Sequence, residues 1–145
     1  MTDDTLRVTI PGEPVAQGRG RAVRMGKGVR VVDPTRARNW KATAAEHIRI
    51  AMIQQHHQMM AGPLRVVIRC YWACPRSKCL KTKPRPAEWR PKRPDADNLA
   101  KAVLDAATDV IWWDDAQVVH LTVEKWQADQ AEPARVELAV EEINP

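Results

Sequence analysis

The chain has 145 residues, 44% apolar and 28% charged, which suits one folded domain with a sizeable core. No apolar run approaches a membrane span and the N-terminus opens with acids, so neither a membrane helix nor a signal peptide is expected. The net charge of +5 divides sharply, with 20 Lys/Arg against 6 Asp/Glu in residues 1–93 and 3 against 12 in residues 94–145, which points the basic part toward a polyanion.

Leu6 to Ile10 alternates as a short strand, stopped by Pro11-Gly12. A basic, glycine-broken segment follows, and residues 17–32 read as a hairpin with Met25-Gly26-Lys27-Gly28 at its tip. Arg19, Arg21, Arg24, Lys27 and Arg30 supply its charge, either to grip a nucleic-acid backbone or as a solvated surface. It is no P-loop, because the GxxxxGK[ST] spacing is missing. Asp33-Pro34 reads as a helix start, with Asp as N-cap and Pro at the first helical position. The helix covers 35–60, with Trp40, Ala44, Ile48, Ala51 and Met52 toward the core. The polar run Gln54–Gln58 is where its distal part would fray or kink, and Arg36, Arg38, Lys41 and Arg49 are the basic residues that could face substrate. His47, His56 and His57 lack an acid–base partner in sequence and read as structural or surface residues.

Leu64–Trp72 is the clearest strand, β-branched at its centre. It enters a proline-broken loop of 22 residues, unusually long for a compact domain. Within it, 74–93 reads as a basic flap on nucleic acid, carried by Lys81, Lys83, Arg85, Arg90, Lys92 and Arg93, or else as a disordered solubilising loop. Trp89 could stack on an unpaired base or pin the flap to the body. Cys70, Cys74 and Cys79 are spaced as neither a secreted disulfide framework nor a familiar zinc knuckle, which favours reduced thiols in a cytoplasmic protein. A second helix over 98–108, with Asp97 as N-cap, carries the apolar stripe Leu99, Ala102, Val103 and Ala106. Ile111-Trp112-Trp113 anchors the following connection, and strands are expected at 117–126 and 135–140. The expected fold is a single α/β domain of the α+β type spanning 1–145, with a small mixed sheet and the order β-ββ-α-β-α-β-β.

The chemistry concentrates in residues 93–119. Asp95 and Asp97 precede the second helix, Lys101 lies four residues beyond Asp97, and Asp114-Asp115 closes the connection after it. Carboxylate clusters suit a hard divalent cation such as magnesium, and phosphodiester hydrolysis needs what such an ion supplies: an activated water and charge compensation. Without a cation, three converging carboxylates would raise one another's pKa. Lys101 could stabilise the phosphorane, orient the water or protonate the leaving oxygen. The competing reading makes Asp97 a helix cap and Asp114-Asp115 ordinary turn chemistry.

The run PDADNLAKAVLDAATDVIWWDDAQVV resembles the RusA family of Holliday junction resolvases, endonucleases of phage, prophage and bacterial origin. The family pattern DxDNxxK, followed by a helix and DDxQV, falls on Asp95, Asp97, Asn98 and Lys101, then Asp114, Asp115, Gln117 and Val118. The N-terminal IPGEPVAQGRGR is similar to the phage-type form of the family. The resemblance implies that Asp95, Asp97 and Asp115 are catalytic carboxylates holding Mg(2+), with Mn(2+) as a substitute, and that Lys101 is the catalytic lysine. It also implies a homodimer that resolves four-way DNA junctions by paired nicks, in the cytoplasm of a bacterial host. A less selective nuclease on branched DNA or RNA, or a non-catalytic phage DNA-binding protein, are the alternatives.

Overall fold

The computed structural model describes residues 3–18, 21–26, 28–32 and 35–144, the strands of the basic hairpin by backbone alone. Five strands form one mixed sheet: β1 (Leu6–Pro11), β4 (Leu64–Trp72), β5 (Glu88–Trp89), β6 (Val118–Gln127) and β7 (Arg135–Glu142), in the spatial order β1-β7-β4-β6-β5. Only β4 and β6 run parallel; every other pairing in the sheet is antiparallel. Strands β2 (Arg21–Met25) and β3 (Gly28–Val32) make the separate hairpin. Its expected phosphate contacts at Arg19 and Lys27, and the Asp33-Pro34 helix start, lie outside the described residues, as do the side chains of Arg21, Arg24 and Arg30.

One face of the sheet is covered by helices α1 (Thr35–Gln54) and α2 (Ala96–Ala107). The alternation of β4 sends Leu64, Val66, Ile68, Cys70 and Trp72 into that layer, where all are buried. The predicted stripes meet them: Trp40, Ala44, Ile48, Ala51 and Met52 from α1, and Leu99, Ala102, Val103 and Ala106 from α2. Trp112 is fully buried, and its indole N–H donates to Thr108 Oγ1 at 3.1 Å, so a large apolar body enters the core without an orphaned donor. Cys70 lies in this layer, and burial pushes its thiol up to about 12, far from reactivity. All three cysteines are free thiols.

The opposite face is polar. Arg65 bonds Glu141 at 2.7 Å, Arg69 bonds Glu124 at 2.9 Å, and the Arg135 guanidinium lies 4.0 Å above the Tyr71 ring. Two of the basic residues that make the first part of the chain so cationic are therefore matched by acids of the second part.

Three boundaries differ from the sequence expectation. Helix α1 ends at Gln54, six residues before Met60, where His56 turns left-handed (φ 58) and His57 N–H bonds back to Met52 O at 2.9 Å. Asp95, and not Asp97, is the N-cap residue of α2. The long basic loop contains a short 3₁₀ turn at Arg76–Lys78 and strand β5, which pairs with the end of β6. Trp89 of β5 stacks on Trp126 with centroids 3.9 Å apart, pinning the flap to the sheet.

No helix among the described residues is long and apolar enough to cross a membrane.

Candidate active site

Asp95 and Asp97 stand exposed at the first turn of α2. Asp95 has extended backbone (φ −70, ψ 148) and makes no side-chain cap bond, so its carboxylate is not occupied by the helix it starts. Asp97 accepts from the adjacent Asn98 N–H at 2.9 Å through Oδ1. Both acids lie at the N-terminal end of α2, where the helix dipole presents partial positive charge. Lys101 follows on the exposed surface of the same helix. Its neighbour on that side, Asp105, is engaged elsewhere: it pairs with Lys41 of α1 at 3.6 Å.

Two long-range tethers fix this helix start. Lys125 of β6 donates to Lys92 O at 2.6 Å and to Pro94 O at 2.8 Å, holding the residues just before Asp95. Gln17, in the segment after β1, donates its backbone N–H to Asn98 O at 3.0 Å. The Gln17 side chain is 7% exposed and its Oε1 has no partner among the described residues. Neither Lys125 nor Gln17 stood out in sequence, because their partners are remote from them along the chain.

Asp114 and Asp115 occupy the tight connection before β6. Asp114 Oδ1 accepts from Ala116 N–H at 2.9 Å, the ordinary cap of the 3₁₀ turn Asp115–Gln117. Gln117 is the clamp: Oε1 accepts from Trp113 N–H at 3.0 Å and Asp114 N–H at 3.1 Å. Its Nε2 donates to Met60 O at 2.9 Å and Gly62 O at 3.2 Å. Asp115 is thus presented to solvent on a loop whose two ends are fastened. Gln117→Ala should lower stability by about 2–3 kcal/mol, from the loss of several bonds worth about 0.5–1.5 kcal/mol each. Urea unfolding measures this, and a change within about 0.5 kcal/mol, the range of an ordinary surface substitution, would remove the clamp.

The expected convergence of Asp95, Asp97 and Asp115 does not occur within one chain. Asp115 immediately precedes β6, whereas Lys125, which holds Pro94, lies near the other end of that strand. The rise of about 3.3 Å per residue from Val118 to Lys125 separates these ends by about 23 Å. Helix α2 gives a second measure. Its 12 residues span about 18 Å, with Asp95 before its first turn and Asp115 bordering a cleft beside Asp105 and Thr108 at its last. Among the described residues no group of three His, Cys, Asp or Glu side chains could hold a metal ion.

That cleft, about 640 Å³, is lined by Arg38, Lys41 and Arg49 of α1 together with Asp105, Asp109, Asp114 and Asp115, with Lys41 paired to Asp105 and Arg49 to Glu46. At the other end of the sheet the flap is folded. Gln130 accepts from Leu80 N–H at 2.8 Å and Arg85 N–H at 3.0 Å and donates to Leu80 O at 3.0 Å, stapling the base of the 81–84 tip. Lys81, Lys83, Lys92 and Arg93 remain exposed. Arg85 and Arg90 are partly spent on structure: Arg85 lies 3.6 Å from Glu88, and the Arg90 guanidinium lies 4.1 Å over the Trp72 ring while donating to Arg93 O at 2.7 Å.

Residues 11–141 match the family model described as Endodeoxyribonuclease RusA. The chain is also 35% identical over 150 aligned positions to the uncharacterized protein YqaN of Bacillus subtilis (strain 168), covering 97% of this chain and 99% of that protein. With the match running from the end of β1 through both helices and nearly to the end of β7, the chain belongs to the RusA endodeoxyribonuclease family.

Proposed function

We propose that this protein is a structure-selective endonuclease that resolves four-way DNA junctions, working as a homodimer whose two active sites are each shared between subunits. The observation that carries the reading is the placement of the acids: Asp95 and Asp97 at one end of α2 and β6, Asp115 at the other. A two-fold pair of chains offers two equivalent sites in which Asp95 and Asp97 of one protomer face the partner's Asp115. A four-way junction, with its own two-fold relation between opposing strands, asks for two such sites.

A cation held by all three carboxylates of one chain does not fit, because about 20 Å divides them. The shared set does fit, since it joins three exposed, hard oxygen donors suited to magnesium, with manganese as a substitute. Bound there, the ion supplies charge compensation on the phosphoryl oxygens and a water of lowered pKa. The chain's own residues then do the rest. Asp97 is oriented by the bond its Oδ1 accepts from the Asn98 backbone N–H at 2.9 Å. Lys101, one turn further along α2, brings positive charge to the phosphate being cut. Arg38, Lys41 and Arg49, beside Asp115, hold the adjoining backbone, and the exposed flap lysines hold another part of the same arm. Recognition through phosphates on several separated surfaces selects the branched shape over a single base sequence.

The test is cleavage in magnesium of a fixed four-way junction against matched linear duplex, fork and RNA strands. The expected result is paired nicking of the junction, abolished in Asp97→Asn while junction binding is retained. Equal cleavage of fork and duplex would replace junction selectivity with a broader nuclease. Wild-type cleavage by Asp97→Asn would remove the carboxylate chemistry altogether.

A further inference from the structure

We infer that Cys74 and Cys79, at the root of the basic flap, form a reversible modification site: a peroxide or a small-molecule disulfide joins them as an intrachain disulfide that fastens the base of the flap. It involves none of the carboxylates of the proposed active site and stands or falls apart from them.

The chain leaves β4 at Trp72, and the 3₁₀ turn Arg76–Lys78 folds it back almost at once. Pro75 O closes the turn by accepting from Lys78 N–H at 2.9 Å, and Cys79 N–H donates to Arg76 O at 3.2 Å. The two cysteines flank this turn, and their thiols converge on one atom. Cys79 Sγ donates to Pro75 O at 3.4 Å and Cys74 Sγ donates to the same oxygen at 3.8 Å, with the two thiols in hydrogen-bond reach of each other. Both sides of the pair are anchored to the body. Cys74 Sγ accepts from Gln127 Nε2 at 3.6 Å, and the same amide donates to Glu88 at 3.0 Å. Leu80, next to Cys79, is held through both of its backbone groups by Gln130. The fold therefore gathers the two sulfurs before any oxidant arrives, which is what favours an internal disulfide over a mixed one.

Exposure sets the order of events. Cys79 is exposed, Cys74 is half-buried, and Cys70 is enclosed in the core, where it takes no part. Peroxide accordingly meets Cys79 first. The Cys79 sulfur attacks one peroxide oxygen, the O–O bond breaks, and the departing hydroxide takes up a proton as water, leaving a sulfenic acid. Partial burial and the hydrogen bond with Cys79 hold the Cys74 thiol above its ordinary value, so Cys74 keeps its proton until that point. Its sulfur then attacks the Cys79 sulfur, the S–O bond breaks, and the hydroxyl leaves with the Cys74 proton as a second water. Two thiols have lost two electrons and one peroxide has been reduced to two waters. The closed loop runs only from Cys74 to Cys79, so it restrains the flap base directly, and Lys81 stands two residues beyond it.

The test uses the full chain. Reduced and then denatured, it should titrate three thiols, and after native treatment with dilute hydrogen peroxide or glutathione disulfide only one, with dithiothreitol restoring all three. Digestion of the oxidised, alkylated chain with trypsin should give peptides 70–76 and 79–81 as one disulfide-linked species with Cys70 alkylated. Cleavage of the native flap after Lys81 should slow on the order of tenfold on oxidation, by loss of loop freedom. At a fixed glutathione ratio, the internal bond should also be favoured on the order of tenfold more in the folded chain than in urea. Cys74→Ser should instead carry glutathione on Cys79 and show no slowing. Three surviving thiols, glutathione adducts on the wild type in place of the internal bond, pairing through Cys70, or equal disulfide formation in urea each overturns the site. An internal bond that leaves native cleavage after Lys81 unchanged overturns the fastening of the flap.

Discussion

An equimolar mixture of Asp97→Asn and Asp115→Asn chains, dissociated and re-associated, should recover nicking that neither variant shows alone. Each single substitution withdraws a carboxylate from both sites of its dimer. The expected loss is several kcal/mol of transition-state charge stabilisation, on the order of 10³-fold in rate. In a mixed dimer the two lesions fall together. One site carries both substitutions, and the other holds an unaltered Asp95, Asp97 and partner's Asp115. Random re-association makes about half the dimers mixed, so about a quarter of the sites are intact. Cuts on one strand should therefore return while paired cuts on opposing strands do not. The readout is a denaturing gel of a junction labelled on each strand in turn, alongside a supercoiled cruciform plasmid that distinguishes a single nick from linearisation. Carboxylates gathered within one chain would leave every mixed dimer inactive at both sites, so a mixture as dead as its components would sink the shared arrangement. The ends of β6 are about 23 Å apart, too far for side-chain rearrangement to close.

Helix α2 shows both how far the sequence reaches and where it stops. Its stripe of Leu99, Ala102, Val103 and Ala106 was legible because burial on one face writes a period near 3.6 into the chain, and all four are buried. The same holds for α1 and for the alternation of β4. The start of α2 was misplaced by two residues because Asp95 and Asp97 are equally good cap residues, and only the backbone decides between them. Strand β5 had no local signal at all. Its proline-flanked Glu88-Trp89 becomes strand only because β6 offers an edge and Trp126 offers a ring to stack on. The tethers Gln17, Lys125 and Gln130 were equally invisible, since each side chain or backbone group answers a partner brought near only by the completed fold. The separation of the acids, by contrast, was available. Asp97 and Asp115 bracket a helical stripe, and residues bracketing a straight helix lie at its two ends.

Replacing Lys81, Lys83 and Lys92 together with glutamine should flatten the salt dependence of junction binding. Each phosphate contact on duplex arms contributes about 0.9 to the slope of log K against log salt, so three lost contacts lower its magnitude by about 2.7. The deficit in affinity is consequently largest at low salt and shrinks as salt rises, because the wild type loses contacts to screening that the variant no longer has. The three lysines are exposed, and the tip bearing Lys81 and Lys83 is held out by the Gln130 staple. They should therefore act as pre-placed charges, with little ordering entropy to lose on binding. Arg69→Gln is the matched control: it removes a positive charge already paired with Glu124 at 2.9 Å on the sheet's polar face, and should leave the slope unchanged. Fluorescence anisotropy of a labelled junction, titrated from low to physiological salt with EDTA present to prevent cutting, measures both slopes. Parallel lines for the triple variant and wild type would take the flap out of the DNA interface and leave the α1 cleft beside Asp115 as the main backbone grip.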